Sequence, residues 1–212
     1  AWGEDRGEVL GLPFIEFLAP GLISMQVIQQ SFSHSSSSLL GGKMMGNIID
    51  LIGSPLSAKE VTLAIILASV TRAFIICLVS IFCFNFFVEI KISNYYYFIF
   101  FLLNSSFLMG ALGFVAGIWA DRYDNMATVT NFVIVPLSFL SGAFYSIDRL
   151  PNVLKEVSFY NPFFHMIDGL RFSMIGISDG STIFGSFYLL SFSLVLWWSA
   201  YYLYKIGYKI KS

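Results

Sequence analysis

His165, Asp168 and Arg171 stand three residues apart in an otherwise apolar stretch, with Ser173 and Ser181 close behind. A histidine base, a carboxylate to orient it and a serine nucleophile are the parts of an acyl-transfer site. A membrane-embedded hydrolase or acyltransferase using His165 and Asp168 is therefore one reading of the chain. Spacing alone does not support it. The sequence has no nucleophile elbow, no H-E-x-x-H pair and no paired intramembrane aspartates. Residues three apart on a helix are neighbours, so Asp168 and Arg171 more simply form a helix-surface ion pair. No glycine-rich phosphate loop occurs, so the chain does not hold ATP by a Walker motif. Cys77 and Cys83 lie in one apolar run and read as inert lipid- or core-facing residues. His34 could ligate or carry a proton, but within a serine-rich run it fits a polar helix end facing water. The expectation is no catalytic, cofactor-binding or metal residue.

The elements that position these residues are set by composition. The 212 residues are 57% hydrophobic, 18% aromatic and 12% charged, with a mean hydropathy of +0.75. A soluble domain carries about twice that charged fraction, so the fold class is all-α: a polytopic membrane helix bundle. The net charge of −1 points to neither a nucleic-acid partner nor a polybasic membrane patch. Ala1–Leu12 is polar and lacks the pattern of a signal peptide, and the start at Ala1 is expected to lie in a loop of a longer chain.

Five spans are expected, over residues 13–32, 61–88, 95–120, 126–145 and 183–204. The first contains a Pro20-Gly21 pair. The second carries Arg72, whose place inside a span implies a substrate or gating contact or, more simply, a structural ion pair or a snorkel. The third has Gly110, Gly113 and Gly117 on one face, a pattern for close helix packing. The fourth has Pro136 in its interior, where a kink is expected. Trp197, Trp198, Tyr201, Tyr202 and Tyr204, followed by Lys205, Lys209 and Lys211, mark a cytoplasmic exit of the fifth. Counting back, residues 42–57 and 121–125 are inside, and residues 146–182 outside.

Gly42–Ser57 is too short and too polar to span. As a helix it places Lys43, Asn47, Asp50 and Ser54 on one polar stripe over about three turns, stopped by Gly53 and Pro55. Ser57-Ala58-Lys59-Glu60 has the form of a capping box for the next helix. In the 146–182 linker, two short helices are expected to lie at the interface or re-enter the membrane. Leu150, Val153, Leu154 and Val157 make an apolar stripe on the first. On the second, His165, Asp168 and Arg171 lie opposite an apolar side, and Ser178–Ser181 is an exposed turn.

At this point the residues resemble the ABC-2 type exporter permeases. Phe17-Leu18-Ala19-Pro20-Gly21-Leu22 is similar to their F-L-x-P-G-L entry. Asn47–Ser57 resembles their cytoplasmic acidic-apolar segment ending in small-Pro-apolar-Ser. Ser141-Gly142-Ala143-Phe144-Tyr145-Ser146-Ile147-Asp148-Arg149-Leu150-Pro151 resembles S-G-x-F-Y-x-I-x-x-L-P. Asn161–Arg171 resembles N-P-x-x-Y-x-I-x-x-x-R. The four motifs stand in order over nearly the whole chain, as a single transmembrane domain over residues 1–212.

The resemblance implies six spans per subunit, of which five are visible here. It implies a permease homodimer in the bacterial inner (plasma) membrane and two copies of a separate ATPase subunit that bind the ATP and Mg. It implies a coupling helix in a groove of that ATPase, with Asn47, Ile48, Asp50, Leu51, Ser54, Pro55 and Ser57 as contacts. Re-entrant outer helices are implied over Leu150–Phe159 and Phe163–Ile175. Pathway or gate candidates are Arg72, Pro136, Phe144, Tyr145, Pro151, Asn161 and Arg171. The expected cargo is amphipathic: drug-like, lipid or polysaccharide. Two positions depart from the pattern, Ile49 where relatives carry an acid and His165 where they carry a tyrosine. A non-transporting membrane scaffold is the remaining alternative.

Overall fold

The computed structural model describes residues 8–9, 12–145, 147 and 151–209. Two short strands, β1 (Glu8–Val9) and β2 (Leu12–Pro13), pair antiparallel ahead of the helices. The helices are α1 (Phe14–Met44), α2 (Ile48–Gly53), α3 (Ala58–Phe84), α4 (Tyr95–Trp119), α5 (Tyr123–Val129), α6 (Val135–Leu140), α7 (Asn152–Tyr160), α8 (Pro162–Ile175) and α9 (Thr182–Ile206). A π-helical turn, Thr130–Ile134, joins α5 to α6.

Among the described residues three helices, α3, α4 and α9, are long and apolar enough to cross a membrane. Two more rods, α1 and the α5–α6 stretch, reach between the two ends of the bundle. Phe17 of α1 meets Arg171 at one end of the bundle, and Lys43 meets Ile118 and Ala120 at the other. The 26 steps between them cover about 39 Å at 1.5 Å per residue. The α5–α6 rod likewise runs from Tyr123, beside Gly41, to Leu137, beside Asn161. Its expected kink at Pro136 is realised as the π turn just before it. Proline has no N–H to give the carbonyl four residues back and its ring crowds that carbonyl. The widened turn accommodates this, with Val135 N–H bonded to Thr130 O.

α4 is the central helix and packs against α1, α3, α8 and α9. Its glycines explain the close approach. A Cβ on Gly113 would run into the Phe32 carbonyl of α1, and one on Gly117 would lie 2.9 Å from the Ser36 carbonyl. Small residues on facing helices let dispersion contacts hold the pair where lipid offers no hydrophobic drive.

α1 is longer than the sequence pattern implies. Ser31–Ser38 continues the helix rather than ending it: the Ser31, Ser36 and Ser37 hydroxyls bond carbonyls of the preceding turn. α1 then takes in Gly41, Gly42 and Lys43. The chain breaks at Met45–Asn47, where Gly46 has φ +78°, a conformation that favours glycine. The expected three-turn helix is therefore a six-residue α2 (Ile48–Gly53), and Lys43 does not share its surface. Past α2, the capping box forms as expected: Ser57 Oγ accepts from Glu60 N–H, and Glu60 Oε2 accepts from Ser57 N–H at 2.7 Å. α3 stops at Phe84, short of Val88, because the Asn85 side chain turns the chain by accepting from Ile90 N–H at 2.9 Å.

Candidate functional site

Three of the four sequence motifs meet at one end of the bundle, around Arg171. This side chain is 1% exposed. Its Nη2 donates 2.6 Å to the Gly142 carbonyl in the turn after α6. Its Nη1 lies 3.6 Å from Asp179 Oδ2. The guanidinium sits 4.0 Å over the Phe17 ring of α1. A Cβ on Gly21, one turn along α1, would collide with the Ala143 carbonyl, so glycine admits the turn to the helix surface. Asn161 ties the same turn to α8. Its Oδ1 caps the helix by accepting from Phe163 N–H, and its amide donates 3.0 Å to Leu137 O and 2.9 Å to Ser141 Oγ.

Asp168 closes the site from the other side. Its two carboxyl oxygens accept from the Asp179 and Gly180 N–H groups at 2.8 and 3.1 Å. Burial raises the pKa of its carboxyl to about 6, against the opposing pull of these donors and of Arg171. The expectation of a surface ion pair is corrected here. α8 is buried nearly throughout its length, on both sides, and the close carboxylate partner of Arg171 is Asp179, eight residues along the chain. The 178–181 turn is likewise no exposed loop at Asp179, whose side chain is 1% exposed.

No acyl-transfer site is assembled from these residues. His165 Nε2 donates to Phe159 O at 2.9 Å, and its ring packs against Phe164, Phe184 and Tyr188. Ser173 is fully buried and gives its hydroxyl to Leu170 O. Ser181 caps α9. Each group is committed to the backbone.

The other gate candidates spread out. Phe144 stacks on Phe139 with centroids 4.9 Å apart. Tyr145 is half-buried in the turn after α6, and Pro136 is exposed on the flank. Pro151 stands just ahead of α7 rather than in its first turn. The apolar stripe of α7 faces outward at Leu154 and Val157, while Val153 and Leu150 lie outside the described side chains. Of the S-G-x-F-Y motif, Ser146, Asp148 and Arg149 also lie outside the described residues. Arg72 is far from this end and bonds His34 and Gln30 midway along α1 and α3. His34 is therefore no helix terminus.

The opposite end holds the coupling candidates and the lysines. Lys43 Nζ donates to Ile118 O and Ala120 O at 2.8 and 2.7 Å. Lys209 Nζ donates to Trp119 O at 3.0 Å and pairs with Asp121 at 2.8 Å. Both satisfy the negative C-terminus of α4. Sequence reasoning missed this clamp because its partners are 75 to 90 residues apart. Here Ile48 is buried, while Asn47, Asp50, Pro55 and Ser57 are exposed. Leu51 is half-buried, and Ser54 donates to its carbonyl at 2.8 Å. Outward apolar residues include Met45, Leu56 and Ile49, the last 71% exposed. None of these three was among the expected contacts. A cleft of about 590 Å³ opens beside α2, lined by Ser37, Ser38, Asn47, Ile48, Leu51 and Tyr123 among others.

Comparison with known proteins gives this architecture a family. The ABC-2 type transporter profile matches residues 6–175. The inner membrane transport permease YadH of Escherichia coli is 30% identical over 202 residues, covering 91% of this chain and 79% of the relative. Nodulation protein J of Sinorhizobium fredii is 22% identical over 194 residues, 84% of this chain and 68% of the relative. Nodulation protein J of Rhizobium leguminosarum is 36% identical over 66 residues, 31% of this chain and 26% of the relative. The chain belongs to the ABC-2 type transporter family and is a multi-pass transport permease of the inner membrane.

Proposed function

We propose that this permease is the membrane subunit of an ATP-driven exporter, working as a pair with a second permease copy and with an ABC ATPase that carries the nucleotide and Mg. The observation that carries the reading is α2. It is a short helix held between two rods, α1 and α3, that reach toward the far end of the bundle. It turns Ile49 and Asp50 outward, with Met45 and Leu56 exposed on the turns that flank it, while Ile48 anchors it to the core. An exposed apolar patch with one charge at its edge suits a partner groove. A push on α2 is transmitted by α1, whose far end packs under Arg171 and against the turn after α6. Residues 42–57 and the C-terminus then face the cytoplasm, where ATP is held, and α7 and α8 lie outside as the outer gate. The cargo leaves between permease copies and is amphipathic.

The experiment is ATP hydrolysis by the partner ATPase, co-reconstituted with the permease in lipid vesicles. The double substitution Ile49→Ser/Asp50→Ala is expected to lower permease-stimulated hydrolysis by about tenfold or more, the loss of one interfacial anchor, with the elution profile of the permease unchanged. Unaltered stimulation with a folded double variant would remove α2 from the coupling interface.

A further inference from the structure

One charged centre lies away from both ends. Arg72 is the fifteenth residue of the 27-residue α3, amid Val70, Ala73, Phe74 and Ile75. Its side chain is exposed on the flank of the bundle. Nη1 lies 3.1 Å from His34 Nδ1, and Nη2 donates 3.2 Å to Gln30 Oε1. Arginine only donates, so His34 Nδ1 accepts and the ring proton of its neutral form stands on Nε2. Among the described residues no carboxylate forms an ion pair with Arg72. A full positive charge at membrane depth thus has two neutral acceptors and unused N–H donors.

Such a charge persists in a span where it faces water or meets an anion. A polar path leads to it. Gln30, His34, Ser37 and Ser38 follow one another at i, i+4, i+7 and i+8 on α1, and Ser37 and Ser38 line the cleft beside α2. The row of polar residues on α1 thus runs from the centre to Ser37 and Ser38 on the wall of the cleft at the lysine end. Its present partners are neutral, so an incoming oxyanion can replace them without stranding a buried charge, and it gains charge-assisted bonds about twice as strong as neutral ones. The planar fork of the guanidinium matches the two oxygens of a phosphate or carboxylate.

We propose that Arg72, His34 and Gln30 form a mid-membrane recognition site for an oxyanionic group, phosphate or carboxylate, on the transported molecule. This rests on the chain being a transporter subunit and narrows its cargo to molecules with an anionic head.

The test is binding to the full-length permease in phosphatidylcholine nanodiscs, without ATP or ATPase, so that failure of the coupling reading leaves it intact. The probes are hexyl phosphate, inorganic phosphate and hexyl glucoside. Hexyl phosphate is expected to bind the wild type and to lose about tenfold or more in affinity with Arg72→Gln, while hexyl glucoside binds more weakly and is unmoved. Arg72→Lys keeps the charge without the fork and is expected to fall between. It carries the test should Arg72→Gln not fold. Competition by inorganic phosphate supports the site as one for the bare oxyanion. Absence of competition supports it as one for the head of an amphiphile. No hexyl phosphate binding to the wild type, or an affinity unchanged in every folded Arg72 variant, overturns the proposal.

Discussion

Arg171 and Asp50 are charged residues at opposite ends of one bundle, and they are held in opposite ways. Arg171 is enclosed by an aromatic ring, a backbone carbonyl and a carboxylate drawn from three separate segments. Asp50 is exposed on a six-residue helix anchored chiefly through Ile48. A buried charge is stable only while each partner stays in place, so the Arg171 end behaves as a lock that fixes α1, α8 and two turns relative to one another. An exposed short helix has little stability of its own, so α2 depends on its few anchoring contacts. One bundle thus carries a tightly tied end and a loosely tied end, joined by α1.

That contrast can be broken in graded steps. The largest effect is expected from Arg171→Ala, which leaves Asp179 buried without its guanidinium and should cost about 3–5 kcal/mol. Thermal unfolding in detergent checks it, and a melting temperature equal to wild type would show that the cluster locks nothing. Asn161→Ala removes a helix cap and the two bonds from its amide to Leu137 and Ser141, for a loss of about 1–2 kcal/mol. The same melt should place it between Arg171→Ala and wild type. The smallest effect is expected from Ile49→Ser, within about 0.5 kcal/mol because the side chain is largely exposed. If Ile49→Ser destabilised as much as Asn161→Ala, the two ends would not differ in kind.

Much of the bundle was legible in the sequence. The apolar runs fixed α3, α4 and α9 to within a few residues. Ser57-x-x-Glu60 formed its capping box, Asn161-Pro162 opened α8, and Gly53 ended α2. These signals are local: a cap or a breaker acts within one turn, and hydropathy is a property of the segment itself. The serine run misled, because serine in lipid can bond its own preceding turn and continue a helix.

What the sequence by itself determined was the class of molecule, the order of its helices and the motifs that place it in its family. What only the tertiary structure decided was which charges meet. Asp179 takes Arg171 where Asp168 was expected. Lys43 leaves the 42–57 segment to cap α4, and Arg72 finds His34 and Gln30 on another helix. Residues far apart in sequence become neighbours only when helices pack. In a low-dielectric interior the choice among polar partners is set by that packing, because each buried donor must find an acceptor within its reach.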